Sequence, residues 1–383
     1  MLVSICIIII LIYLILIGWL NNGFNKIKDF KLQDLKPKTK FSIVIPFRNE
    51  AENLTALLKS IDNLNYPNSH FEVILVDDES EDTSVEIINK VLDTFRQKSR
   101  NTRTDIITII NNNRTSDSPK KDAITSAIKI AKYNWIITTD ADCTLPKYWL
   151  DSYDEFIQTN NTLAIAGPVK FTGLSSFFTR FQILDSLSLQ GATIGSFGIK
   201  KPLMCNGANF AYSKKGFEQV NGFEDNNRIA SGDDVFLLQK LSEKDISKIH
   251  FLKSENAIVT TRVTNGFTEY LQQRLRWASK TTNYKYWFPK FLGLIVLLTN
   301  LVMVSVIPLY ILEILQGKTA VLLFLIKFSI DLLLIFKTAR FYKQESVLLS
   351  YVFASFIYPF ITIYITAILP FLSFKWKGRT FKR

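Results

Sequence analysis

Two carboxylates stand one residue apart in WIITTDADCT, residues 135–144, where an apolar, β-branched run ends in Asp140 and Asp142. Asp77 and Asp78 follow FEVILV at 71–76, FSIVIP at 41–46 leads through Arg48 and Asn49 to Glu50, and Gly232-Asp233-Asp234 adds another acidic pair. Carboxylates brought together repel one another unless a cation or a hydrogen-bonding ligand offsets the repulsion. A carboxylate-x-carboxylate pair on a loop offers hard oxygens to Mg2+ or Mn2+, ions that take one or two carboxylates and complete their shell with substrate phosphates. A nucleoside diphosphate bridged by such an ion is the natural ligand. Helix capping accounts for Ser80 and Asp82, and a turn opening the helix VFLLQKL is an alternative for Asp233 and Asp234. Asp140 and Asp142 are different, because Cys143–Pro146 separates them from the next helical pattern.

The elements that must position these groups are legible as an alternation. Strands are expected at 41–46, 71–76, 105–110 and 135–139, with helices near 50–61, 82–96 and 120–132 between them. Continuous apolar runs alternating with helices indicate parallel strands covered on both faces, an α/β fold. Ligands of such sheets bind beyond the carboxyl ends of the strands, where the acidic residues lie.

The ends of the chain differ in kind. Of 383 residues, 48% are hydrophobic, and residues 2–20 carry no charge. That is the length needed to cross a hydrocarbon core, and without a basic start or a small-x-small site it reads as an anchor rather than a cleaved signal. Further apolar stretches at 289–312, 319–336 and 346–373 make the chain an integral membrane protein. The formal charge is +12, and residues 21–40 hold six lysines against two aspartates. A basic run beside a span marks the cytoplasmic side and anionic lipid, and is preferred here to nucleic-acid binding. Three cysteines at 6, 143 and 205, without paired spacing, suggest neither a disulfide framework nor a zinc site.

Order and company sharpen the reading. Pro46–Glu50, Val76-Asp77-Asp78, Thr139–Asp142, Gly232-Asp233-Asp234 and QRLRW at 273–277 together resemble the membrane-bound family 2 glycosyltransferases. These are the relatives of cellulose, chitin, hyaluronan and poly-N-acetylglucosamine synthases and of ceramide glucosyltransferase. The resemblance covers about 41–280 and implies a GT-A-like domain, Rossmann-like with a mostly parallel sheet, flanked by transmembrane helices. It implies that Glu50, Asp77 and Asp78 hold the uridine end of a UDP-sugar, with Lys120 (Lys121 is its rival) nearby. Asp140 and Asp142 would hold the metal on the diphosphate. Asp234 would be the general base that takes the acceptor proton, in an inverting transfer. Gln273 and Arg276 would meet the pyrophosphate, and Trp277 would pack under the acceptor. Asn206–Asn209 is either acceptor-side or a plain turn.

The expected organisation is an anchor at 1–22, a basic linker at 23–40, a cytoplasmic catalytic domain at 41–285, transmembrane or interfacial helices at 286–375 and a basic tail at 376–383. The acceptor is expected to be a lipid or lipid-proximal glycan at the cytoplasmic (inner) membrane. The alternatives are a processive polysaccharide synthase and a metal-dependent nucleotidyl or phosphoryl transferase acting on a lipid. Pro359 and Pro370 raise the expectation that 346–373 is broken into a re-entrant or interfacial piece, leaving the tail inside. Lys327 and Asp331, four apart in an apolar stretch, are expected to pair.

Overall fold

The structure is a computed structural model that describes residues 1–98, 103–227, 229 and 231–381. The chain forms two compact units. One comprises 28–171 and 204–262; the other comprises 1–27, 172–203 and 263–383.

The first unit is built on a sheet. In chain order its elements are β1 (Phe41–Phe47), α2 (Ala51–Asp62), β2 (Phe71–Asp77), α3 (Ser84–Lys98), β3 (Ile107–Asn111), α4 (Pro119–Ile130), β4 (Trp135–Thr138), α5 (Trp149–Thr159), β5 (Ala164–Ala166), β6 (Val169–Thr172), β7 (Phe210–Ser213), α7 (Lys214–Gln219), α8 (Asp233–Asp245), β8 (Ile249–Phe251) and β9 (Val259–Arg262). The label α1 belongs to Leu2–Lys26 and α6 to Phe177–Gly198, both mainly in the other unit. Seven strands align in the order β3-β2-β1-β4-β7-β5-β8. The expected parallel core is present: β1 pairs in parallel with β2 and β4, and β2 with β3. Strand β7 then runs antiparallel between β4 and β5. The third strand starts two residues later than expected because Arg103–Ile106 forms a 3-10 turn.

Strands β1 and β2 are buried on both sides and apolar except for Ser42, Glu72 and the terminal Asp77, with Ser42 Oγ donating to Glu72 Oε1 at 2.6 Å. Parallel register carries Phe47 opposite Asp77, so the strand ends and the loops after them share one edge.

The second unit is helical: α1, α6, α9 (Phe267–Ala278), α10 (Trp287–Ile311), α11 (Gly317–Tyr342) and α12 (Tyr351–Ile368), with a hairpin of β10 (Phe374–Trp376) and β11 (Arg379–Phe381). Four helical stretches are long and apolar enough to cross a membrane: Leu2–Lys26, Trp287–Ile311, Gly317–Tyr342 and Glu345–Ile368. The last differs from expectation. Pro359 lies inside α12 and does not break it.

Residues 172–203 and 263–285, expected within the catalytic segment, pack with the apolar helices instead. The reason is steric. A Cβ on Gly195 would stand 2.2 Å from the Leu20 carbonyl oxygen, and one on Gly198 would stand 1.9 Å from that of Gly23. Glycine alone lets α1 and α6 approach so closely, as small residues do between membrane helices. Lys327 and Asp331 pair at 2.7 Å, as expected, and Tyr13 of α1 donates to Asp331 at 2.5 Å.

Candidate active site

Each expected acidic group of the sheet unit sits at or just past the carboxyl end of a strand or at the start of a helix. Glu50 is the residue before α2; it is buried, and its Oε2 accepts from Asn53 Nδ2 at 2.7 Å. Asp77 ends β2, and its Oδ1 accepts the Ser80 amide at 3.0 Å, closing the turn. Asp78 is buried and accepts from Asn112 Nδ2 at 2.7 Å, with Arg114 Nε at 4.0 Å. Asn112 also donates to the Pro119 carbonyl at 2.9 Å, which ties the end of β3 to the start of α4. Asp82 caps as expected, accepting from Ser84 and also from Ala51, the first residue of α2.

Sequence reasoning passed over Arg48, Asn112 and Arg114. Arg48 is buried and donates to the carbonyls of Asp78 and Glu79 and to the Glu81 carboxylate, clamping the loops after β1 and β2 together. Asn49 and Glu79, one in each loop, hold φ near 51° and 58°, a left-handed conformation unusual without glycine. A guanidinium between two adjacent strand ends was visible in the motif at Pro46–Glu50. Nothing marked Asn112 except its place one residue past β3.

The second cluster surrounds Lys120, the second residue of α4. Its Nζ lies 2.6 Å from Asp140 Oδ1 and 3.4 Å from Asp233 Oδ2. Burial disfavours the ammonium, but Asp140, Asp233 and Asp234 outweigh it and the pKa is raised. Lys121 points elsewhere: its ammonium donates to the Asn226 and Ile229 carbonyls and is fully buried, so Lys120 is the lysine at the site. Asp142 is exposed, and Thr261 Oγ1 donates to its Oδ2 at 3.2 Å. Cys143 is buried, and burial, then Asp142 and Asp140, push its thiol well up, so it stays neutral.

Asp233 and Asp234 open α8, preceded by Gly232 at φ 88°, which favours glycine. Both readings of this motif therefore hold: it starts a helix and it faces the cluster. Asp234 Oδ2 accepts the Gly207 amide at 3.1 Å and Oδ1 accepts that of Val235 at 2.7 Å.

The Asn206–Asn209 turn is internal scaffolding at its far end. Asn209 is fully buried; its side chain accepts from Trp149 and Tyr153 and donates to the Pro168 and Ala257 carbonyls. Thr138 Oγ1 donates to the Gly207 carbonyl at 2.7 Å, fixing the turn against β4.

Gln273, Arg276 and Trp277 lie on α9 in the helical unit, half-buried. Between them Arg274 pairs with buried Asp185 of α6 at 2.7 Å, and its guanidinium lies 4.3 Å from the Trp277 ring centroid. Among the described residues, no group of three or more His, Cys, Asp or Glu side chains is placed to hold a metal.

Family models for glycosyl transferase family 2 and glycosyl transferase family group 2 match residues 42–220 and 135–374. The chain belongs to the family 2 glycosyltransferases. Among curated relatives of the enzyme, a poly(ribitol-phosphate) beta-glucosyltransferase of Bacillus spizizenii is 31% identical over 131 residues, 34% of this chain and 19% of its own length. A probable glycosyltransferase of Bacillus subtilis, YdaM, is 27% identical over 251 residues, 64% of this chain and 56% of its own length. The match thus spans 19% and 56% of the length of these two relatives. A solved mannosyltransferase from Pyrobaculum calidifontis, in complex with GDP-Man and Mn2+, superposes with a TM-score of 0.58 over 93% of this chain and 99% of that one. At 15% identity the likeness is one of fold. The glycosyltransferase therefore has the expected GT-A-like domain accompanied by apolar helices.

Proposed function

We propose that the enzyme transfers a sugar from a UDP-sugar to a hydroxyl of a lipid or lipid-proximal glycan at the cytoplasmic face of a membrane. The observation that carries this is the gathering of Lys120, Asp140 and Asp233 beside Gly207, with Asp234 on the same turn, in a family 2 glycosyltransferase that also bears four apolar helices. The roles are those the family resemblance implies, supported by the contacts around Asp78, Lys120 and Asp234. Asp78, oriented by Asn112, takes the base, with Glu50 and Asp77 shaping the same edge. Lys120 serves the diphosphate.

Asp140 and Asp142 fit a divalent cation. They are two hard oxygen donors at one strand end, the neighbouring thiol is neutral, and an ion of the Mg2+ or Mn2+ kind needs no third protein carboxylate when phosphates complete its shell. Such an ion would neutralise charge on the leaving diphosphate. Asp234 accepts the acceptor hydroxyl proton while that oxygen forms a bond to the sugar's anomeric carbon. The bond from that carbon to the diphosphate oxygen breaks, and UDP leaves with its electron pair. The configuration inverts. For Gln273 and Arg276 the resemblance alone suggests a part at the leaving diphosphate, and for Trp277 a part at the acceptor.

Orientation is supported by packing within the helical unit. Tyr13–Asp331 and Asn25–Lys337 contacts make α11 parallel to α1, whereas Trp19 against Phe288 together with Cys6 and Ile10 clustered on Val302 makes α10 antiparallel. The end of α11 and the start of α10 therefore share the face of the basic run that follows α1. Hairpin strand β10 packs on α9, which leads into α10. The chain after α12 returns to that same face, which supports an interfacial placement of the unbroken α12 and a cytoplasmic tail.

The test is UDP release by the purified enzyme across a panel of UDP-sugars, with Mn2+ or Mg2+ and membrane lipid extract. Release with one donor, abolished by chelation and reduced in Asp142→Ala and at least about 100-fold in Asp234→Asn, supports the reading. UDP binding indifferent to metal and to Asp142 overturns it. Product mass separates glycolipid from polymer.

A further inference from the structure

Asp233 carries no role in the reaction drawn above, yet it is buried and faces the same ammonium as Asp140. One nitrogen serves two carboxylates: Nζ lies 2.6 Å from Asp140 and 3.4 Å from Asp233. The arrangement is crowded. A Cβ on Gly207 would stand 2.9 Å from Asp233 Oδ2 and 3.3 Å from Lys120 Nζ, so the ion pair packs directly against this glycine. Asp233 itself is fixed as the first residue of α8.

A cation approaching Asp140 meets an oxygen already bonded to an ammonium. Freeing that oxygen strands a buried positive charge unless another anion takes it, and a stranded buried charge is costly. Asp233 is the anion within reach. A shift of the lysine tip by under about 1 Å would bring Asp233 to charge-assisted hydrogen-bond distance.

We infer that Asp233 is a positioning residue that takes over the Lys120 ammonium when Asp140 turns to a divalent cation and the donor's diphosphate. The inference rests on the proposed role of Asp140. Asp233 acts through Lys120 and touches no reacting atom. The lysine stays in the site, charged, where the diphosphate arrives.

The experiment is UDP binding by calorimetry to the full chain in detergent, titrated at a series of Mn2+ concentrations, with no turnover involved. In Asp233→Asn the ammonium keeps Asp140 as its ion-pair partner within 4 Å among the described residues, so the Mn2+ concentration for half-maximal UDP binding should rise about tenfold, the equivalent of one lost charge-assisted contact. Asp233→Glu should restore it to within a few-fold. Adding Lys120→Met to Asp233→Asn removes the competitor and should bring the Mn2+ requirement back towards the parent value, even where UDP affinity itself is lower. This double variant also guards against a folding defect, because a merely damaged α8 would not be rescued by a second substitution. A Mn2+ requirement unchanged within twofold in Asp233→Asn, while the parent requires Mn2+, overturns the role of Asp233 alone. A raised requirement that the Lys120→Met change leaves in place also overturns it. UDP binding by the parent that needs no divalent ion overturns it together with the assignment of Asp140 and Asp142.

Discussion

Asn209→Ala is expected to destabilise the sheet unit by about 4 kcal/mol. The side chain is fully buried. Its Oδ1 accepts from Trp149 Nε1 at 2.9 Å and Tyr153 Oη at 2.8 Å, and its Nδ2 donates to the Pro168 and Ala257 carbonyls, each at 2.8 Å. Each such bond contributes about 1 kcal/mol net, and truncation leaves buried partners unsatisfied, so four bonds set a floor near 4 kcal/mol. Trp149 and Tyr153 have no exposed surface through which water could replace the amide. For a unit of roughly 200 residues, 1 kcal/mol moves the melting temperature by about 2–4 °C, giving a drop of roughly 8–16 °C. Thermal unfolding in detergent followed by tryptophan fluorescence reads this, with buried Trp149 as one reporter. Asn209→Asp keeps the volume and both accepted bonds but aims a carboxylate at two carbonyls, so it should melt at least as low. A drop under about 4 °C for Asn209→Ala would refute the argument that this network holds the Asn206–Asn209 turn, and with it Asp234, in place.

Gly195→Val should abolish the docking of α1 on α6, because its first carbon alone would fall 2.2 Å from the Leu20 carbonyl oxygen; fluorescence-detected size exclusion should show loss of the monodisperse peak. Lys327→Met leaves the part-buried Asp331 without its cation and should lower the melting temperature, whereas adding Asp331→Leu should recover part of the loss, since removing both charges also removes the orphan. Cys143 should resist iodoacetamide at pH 8 in the folded protein and react after denaturation, as read by mass spectrometry, because burial and the adjacent Asp142 and Asp140 raise its pKa and keep the thiolate scarce.

The site was readable where chemistry coincides with strand ends. Apolar runs at 41–46, 71–76 and 135–139 are contiguous and local, so strand, exit loop and carboxylates follow from one stretch of chain. Asp140, Asp142 and Asp78 were placed at strand ends that way, whereas Asp234 was singled out by the family resemblance and stands at the start of α8. Residues whose part depends on a distant partner were not. Arg48 matters because it meets carbonyls 30 and 31 residues away, and Thr261 because it reaches Asp142 at a separation of 119. The turn at Asn206–Asn209 showed polar residues but not which way they face.

Membrane segments show the same division. Four apolar stretches of spanning length were set by composition, as was the i,i+4 pairing of Lys327 with Asp331. The membership of α6 among them was not, because its sequence is mixed in polarity and its affinity for α1 lies in glycines whose spacing matters only once a second helix is beside them. Local hydropathy and periodicity therefore determined the elements, their order and the chemistry at strand ends. Tertiary structure decided which lysine enters the site, that Asp233 shares it with Asp140, and that Asn209 is scaffold. Those outcomes turn on distances between residues far apart in the chain, and such distances exist only after the sheet has closed and the helices have met.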